Sequence, residues 1–137
     1  MTAKNAKLVA LRLLSIKSRT ILELRKKLTL RGFSLQEIDD AIETCRQYGY
    51  LNDEEEAARR IERLKRKGYG PYLIAAKLEA QGLKAPKMSF DDQIGVIRNL
   101  ITKPAWKKKE KRKLMAALQR RGFNVECILE VISDAGL

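Results

Sequence analysis

Histidine is absent from all 137 residues. That removes His-based acid–base catalysis, His metal ligation and every Ser–His triad. Cysteine is nearly absent: Cys45 and Cys127 are too few and too far apart for a zinc motif or a disulfide framework. A reducing cytoplasm is therefore the expected compartment. No apolar run approaches the ~20 residues of a membrane span. Valines are few, and no segment alternates apolar and polar residues for long, so strand signals are missing. Acids are outnumbered: 17 Asp and Glu face 29 Lys and Arg, for a formal charge of +12. Such an excess calls for an acidic partner, whether nucleic acid, an acidic protein groove or an anionic membrane surface. The length suits one domain or a small array of helical units. A chain of this size buries roughly 65–70% of its unfolded surface, enough for a core without staples. Composition thus favours a soluble, basic, intracellular binding protein over an enzyme.

Enzyme motifs are missing too. Gly68-Tyr69-Gly70-Pro71 lacks the third glycine and the preceding strand of a dinucleotide fingerprint, and no Gly-rich loop ends in Gly-Lys-Ser/Thr. Asp39-Asp40 and Asp91-Asp92 are the only adjacent aspartate pairs, and acids at helix N-termini account for them. No catalytic residue, cofactor or metal is expected. The basic, acid-free segment Met1–Arg19 could serve as an organelle transit peptide. The spacing of Leu8, Leu11 and Leu14 reads better as a first amphipathic helix, with Arg12 interrupting any signal-type apolar core.

What the chain does have is helical periodicity. Stripes at three- and four-residue spacing run through Ile21, Leu24 and Leu28, then Ile38, Ala41, Ile42 and Cys45, then Ala57, Ile61 and Leu64. They continue through Ile74 and Leu78, Ile94, Ile97 and Ile101, Leu114 and Leu118, and Val125, Ile128, Leu129 and Ile132, with Cys127 flanking the last. Six of the eight glycines precede a large apolar residue: Gly32, Gly49, Gly68, Gly82, Gly122 and Gly136. That is the signature of a left-handed C-cap. Thr20 to Glu23 and Ser34 to Glu37 form capping boxes, and Asn52, Ser89 and Asn124 are further N-cap candidates. Pro71 and Pro104 suit the first turns of the helices they open. Eight helices are predicted, near residues 6–17, 20–31, 34–48, 53–67, 71–81, 89–102, 106–121 and 124–135.

An internal repeat organises them. The segment 24–34 overlays 114–124: Leu, three residues, Leu, two residues, then Arg-Gly-Phe and an N-cap. A middle copy runs from Ile74 to Leu83, and the cap glycines Gly32, Gly82 and Gly122 stand 50 and 40 residues apart. Periods of this size indicate stacked helical units. The expected architecture is all-α, an elongated array of tandem three-helix repeats over 1–51, 52–88 and 89–137. The middle repeat is shortened, because only Lys84 to Met88 separates Leu83 from Ser89 and a third helix cannot fit.

These elements resemble the RecX family of bacterial recombinase regulators. The resemblance rests on Arg19-Thr20 with Glu23-Leu24 and Lys27-Leu28, on Arg31-Gly32-Phe33, and on Tyr48-Gly49-Tyr50-Leu51-Asn52-Asp53. Gly68-Tyr69-Gly70-Pro71 and Arg121-Gly122-Phe123 complete it, so it covers nearly the whole chain. Three departures stand out: Glu56 where the family usually has an aromatic residue, Leu73 where it often has a basic one, and the missing helix after Gly82. The resemblance implies tandem three-helix repeats and a partner, the RecA recombinase filament on single-stranded DNA. RecX-like proteins lie in the groove of that filament, block its growth, favour disassembly and suppress strand exchange and coprotease activity, without being catalysts.

Two basic runs are candidate contact surfaces. Arg59 to Lys67 holds six basic residues, but Glu55, Glu56 and Glu62 precede Arg59, Arg60 and Arg66 by four positions, the favourable ion-pair orientation. It reads either as a solvated face or as a contact through Arg63 and Lys67. Lys107 to Lys113 has one acid, Glu110, among six bases. With Leu114 and Leu118 inward on one helix, Lys108, Lys109, Arg112, Lys113 and Arg120 point outward. That concentration of charge costs self-repulsion which an acidic partner relieves. Trp106 is expected as a buried anchor, with base stacking as the alternative. The Tyr69-Gly70-Pro71-Tyr72 turn reads as a recognition loop or as a rigid connection. Cys45 reads as a small buried hydrophobe.

The reading is a monomeric, cytoplasmic regulator of a RecA filament, with weak direct DNA binding as an added property and no membrane role. The rival is a direct nucleic-acid-binding helical protein such as a helix-turn-helix transcription regulator. A ribosome- or organelle-associated basic protein rests on charge alone.

Overall fold

A computed structural model describes the backbone of residues 3–135 and the side chains of residues 5–135. Among the described residues there is no strand; the elements are α1 (Ala3–Ile16), α2 (Ile21–Leu30), α3 (Leu35–Gln47), α4 (Asp53–Arg66), α5 (Pro71–Ala80), α6 (Phe90–Ile101), α7 (Pro104–Lys107), α8 (Lys111–Arg120) and α9 (Val125–Asp134). The expected cap at Gly136-Leu137 lies outside the described residues. No helix among them is long and apolar enough to cross a membrane.

The helix ends follow local chemistry. Both capping boxes form: Thr20 and Ser34 accept from the amides of Glu23 and Glu37, whose carboxylates accept in return from the cap amides. Asn52, Ser89 and Asn124 also accept from first-turn amides. Gly32, Gly49, Gly68, Gly82 and Gly122 all have positive φ. Residues 83–89 are non-helical, so α5 leads to α6 without a third helix between them.

One difference from the expectation concerns the basic run. The helix foreseen over 106–121 is two helices: α7 ends at Lys107 and α8 starts at Lys111, with Lys108, Lys109 and Glu110 in the turn between them. A continuous helix would set Lys107 against Lys111, Lys108 against Arg112 and Lys109 against Lys113, three like-charge pairs at i,i+4. Breaking the helix separates them. Nine helices are therefore present among the described residues rather than eight.

The chain forms two compact units. One comprises the chain up to Arg59 together with Ala80–Leu83; the other comprises Arg60–Glu79 and Lys84 onward. In the first, α1, α2 and α3 enclose Leu13, Leu24, Leu28, Phe33, Ile38 and Ile42. The buried arc of α1 differs from the expected stripe: Ala6, Ala10 and Leu13 face the core, while Leu8 is 54% exposed and Leu11 and Leu14 are half-buried. Alanines at i and i+4 let the α1 backbone approach α3, its main neighbour. Glu56 also lies inside this unit, 2% exposed, where its carboxylate accepts from Ser18 Oγ at 3.1 Å and Arg59 Nη2 at 2.7 Å. In the second unit, Ile97, Leu100, Leu114, Leu118, Phe123 and Ile128 form the core. Cys127 belongs to that core rather than flanking it, while Val125 and Leu129 are exposed. The inward arc of α9 is centred on Ile128, Val131 and Ile132, which carries Cys127 in with it.

Candidate partner-binding site

The second unit places a cation–aromatic cluster beside the basic turn. Phe123 packs in the core and Gly122 takes φ +92°, which ends α8 and holds Arg121 at the surface. The Arg121 guanidinium carbon lies 4.9 Å from the Tyr69 ring centroid and 5.2 Å from that of Trp106. Its Nη1 donates to the Lys67 carbonyl at 2.7 Å. Lys109 Nζ stands 5.5 Å from the Trp106 centroid, and Lys77 Nζ stands 5.3 Å from that of Tyr69. Tyr69, Leu73, Trp106, Lys109, Arg120 and Arg121 line a cavity of about 320 Å³.

The backbone fixes this arrangement. The Gly70 amide donates to the Arg121 carbonyl at 2.7 Å, and the Tyr72 amide donates to the Gly122 carbonyl at 3.0 Å. A Cβ on Gly70 would sit 2.6 Å from the Gly122 backbone, so only glycine permits the approach. The Tyr69–Tyr72 turn is thus a pinned connection. Tyr69 supplies one wall of the cavity, while Tyr72 stays exposed.

The expected contact residues divide accordingly. Lys109 and Arg120 come together at the cavity. Lys108, Arg112 and Lys113 are exposed, with Lys108 in the turn and the other two in the first turn of α8. Trp106 is half-buried against the core, with its ring near Arg121 and Lys109. Arg63 and Lys67 are exposed on or just beyond α4, and the Lys67 carbonyl, not its ammonium, meets the cluster. The expected i,i+4 pairing on α4 is replaced in part: Arg59 binds Glu56 more closely than Glu55, and Glu62 pairs with Lys65 at 3.6 Å rather than with Arg66. Lys65 also reaches Asp92 at 3.8 Å.

Sequence reasoning missed Arg121 and Tyr69 as members of one site. Arg121 was legible only as part of the Arg-Gly-Phe cap motif, and its ring partners are 15 and 52 positions away. What the cluster offers chemically is positive charge held against ring faces, with ammonium and guanidinium edges able to meet a phosphate or carboxylate. Among the described residues no group of His, Cys, Asp and Glu could hold a metal ion. Burial pushes both cysteine thiols above their ordinary pKa, with Glu126 adding to the effect at Cys127.

Known proteins share this architecture. The family model for the first three-helix domain of RecX matches residues 6–45. The chain is 31% identical to the regulatory protein RecX of Caldanaerobacter subterraneus subsp. tengcongensis, over 96% of this chain and 71% of that protein. It is 32% identical to the regulatory protein RecX of Vibrio vulnificus, over 91% and 89% respectively. The crystal structure of RecX from Lactobacillus salivarius shares the fold with a TM-score of 0.81 at 19% identity, over 96% of this chain and 95% of that one. Cap glycines, helical repeats and similarity over 96% and 91% of this chain to two regulatory proteins converge on one assignment: the chain belongs to the RecX family.

Proposed function

We propose that this protein is a non-catalytic cytoplasmic regulator that binds, as a monomer, the RecA recombinase filament on single-stranded DNA. It inhibits filament growth, ATPase turnover, strand exchange and coprotease activity. The observation that carries the reading is the basic surface of the second unit. Lys108, Lys109, Arg112, Lys113 and Arg120 are all exposed, Lys109 and Arg120 line the cavity of the Arg121 cluster, and Glu110 is the one acid in the run. Arg63 and Lys67 supply a second basic surface on the α4 side. The similarity to regulatory proteins named RecX supports the choice of partner. Bare DNA is a weaker ligand in this reading, because a filament adds protein contacts to phosphate contacts.

The test is a titration against pre-formed recombinase filaments, read by ATPase turnover, with Lys108, Lys109 and Arg112 reversed to Glu. All three are exposed, so folding should persist while inhibition falls at least tenfold. Inhibition by the natural protein should weaken as salt rises, since exposed charges are screened beyond ~8 Å at physiological ionic strength. Equal inhibition by both proteins at matched salt would remove this surface from the contact. Tight, sequence-specific duplex binding with a steep salt slope would favour a helix-turn-helix regulator instead.

A further inference from the structure

Lys77, Tyr69, Arg121, Trp106 and Lys109 alternate cation and ring, each cation 4.9–5.5 Å from a ring centroid. The cations are not held equally. Arg121 is half-buried, and its Nη1 is pinned to the Lys67 carbonyl at 2.7 Å. Lys109 is exposed, and among the described residues its ammonium meets only the Trp106 ring. An exposed cation–ring contact is weak, and stacking of a nucleobase on an aromatic ring outweighs it. The Lys109 ammonium therefore leaves the ring readily on its flexible stem, and Trp106 gains a face for a flat group.

The cavity of about 320 Å³ has the lining such a group needs. Its size matches one nucleotide and not a run of stacked bases. Tyr69 and Trp106 supply rings, Leu73 and Ala117 supply apolar surface, and Lys109 and Arg120 supply exposed charge. A site for phosphate alone has no use for the rings and the apolar surface. No Asp, Glu, Asn, Gln, Ser or Thr is among the described residues that line it, so a ligand is held by its faces and its charge rather than by hydrogen bonds to its edges. The backbone groups beside it are already paired: Gly70 and Tyr72 amides with Arg121 and Gly122 carbonyls, and the Lys67 carbonyl with Arg121. A peptide finds no strand-like edge there, whereas a nucleotide needs none. Positive charge also runs on past the cavity. Lys113 is exposed one turn before Ala117 on α8, and exposed Lys108 adjoins Lys109. A lone nucleotide leaves that charge unused; the flanking phosphates of a strand meet it.

We propose that this cavity is a base pocket: it takes one unstacked nucleotide of a single strand, the base on Trp106 and the phosphate on Arg120 and the displaced Lys109. A base within a duplex reaches such a ring only by leaving its stack, so the pocket selects unpaired strands. The pocket deepens the function proposed above and rests on its reading that the basic surface of the second unit faces the strand.

The test uses the emission of Trp106, the single tryptophan. The natural protein is titrated with a short oligothymidylate, with an abasic strand of equal length, with thymidine monophosphate and with hexaglutamate. Oligothymidylate should quench the emission and bind at least about fivefold more tightly than the abasic strand, which keeps the phosphates and lacks the bases. By anisotropy, Trp106→Leu should bring oligothymidylate down to the abasic affinity and leave the abasic affinity within twofold. If Trp106→Leu does not fold, the comparison of the two strands on the natural protein decides alone. Equal affinity for both strands overturns the base pocket, and inhibition of recombinase filaments by the same protein would leave the proposed function standing. Preference for the base-bearing strand without filament inhibition overturns the proposed function and leaves the pocket. Monophosphate binding as tight as that of the strand overturns the strand as the source of the nucleotide. Hexaglutamate matching oligothymidylate in quench and affinity overturns the nucleotide in favour of an acidic peptide.

Discussion

Gly70 and Gly122 approach so closely that a methyl group added to Gly70 would lie 2.6 Å from the Gly122 backbone. Two amide–carbonyl hydrogen bonds, Gly70 to Arg121 and Tyr72 to Gly122, hold the segments in that position. The contact joins residues remote in sequence and sets the distance at which Tyr69 faces Arg121.

Cap glycines therefore differ in cost. Gly32→Val meets only the left-handed strain, about 1–2 kcal/mol. Gly122→Val meets the same strain and collides with Leu73, whose backbone nitrogen would lie 2.5 Å from the new Cβ. Its urea midpoint should fall further than that of Gly32→Val. Equal midpoints would show that Leu73 moves aside without cost.

Arg121→Ala should be felt twice. It removes two ring interactions worth about 0.5–1 kcal/mol each and a hydrogen bond of about 1 kcal/mol, for a total of about 2–3 kcal/mol. Trp106 is the single tryptophan, so its fluorescence reports the change directly. Arg121→Lys keeps the charge but loses the planar face, and its emission should resemble that of Arg121→Ala. Emission identical to the natural protein in both variants would mean that the guanidinium does not shape the Trp106 environment.

Acid should loosen the start of α3. Backbone and side-chain hydrogen bonds from Ser34 hold the Glu37 carboxyl below its ordinary value. A depressed folded-state pKa means stabilisation that is present above the unfolded value, ~4.3, and lost as pH falls through the lower folded value. Glu37→Gln should lose less stability than the natural protein between about pH 6 and about pH 3. Ser34→Ala should cost about 1 kcal/mol at neutral pH. Parallel stability curves for the natural protein and Glu37→Gln would contradict the linkage.

The buried Glu56 carboxylate should couple to Arg59. Glu56→Gln leaves the shape but weakens the bond to Arg59 Nη2, at a cost of about 1–3 kcal/mol. A double-mutant cycle with Arg59→Ala should give a coupling of about 0.5 kcal/mol or more, and additive losses would place Glu56 outside the pair.

Helix ends were legible because each is decided by one or two side chains. Thr20 with Glu23, Ser34 with Glu37 and the cap glycines act within a single turn. The inward faces of α2, α3 and α8 were legible for the same reason, since large apolar residues such as Leu24, Ile38 and Leu114 mark them. The face of α1 was not, because Ala6 and Ala10 bury little area and signal nothing in isolation, yet they decide how near α3 can come. The break at Lys108 was hidden by a periodicity argument that counted leucines and not the repulsion among lysines. Least legible was the Arg121 cluster. Its members come from the turn before α5, from α7 and from the end of α8, and only the Gly70–Gly122 contact brings them together.

The burial of both cysteines has a practical side. Cys45 and Cys127 show no accessible surface, and their thiols hold their protons more firmly than free cysteine. The thiolate is the reactive form, so maleimide should leave the folded natural protein almost unmodified. A cysteine introduced at Lys108 or Arg63 would then be the fast-labelling group in the native sequence background. Crosslinkers or distance probes placed there could map each surface on a filament without first removing the natural thiols.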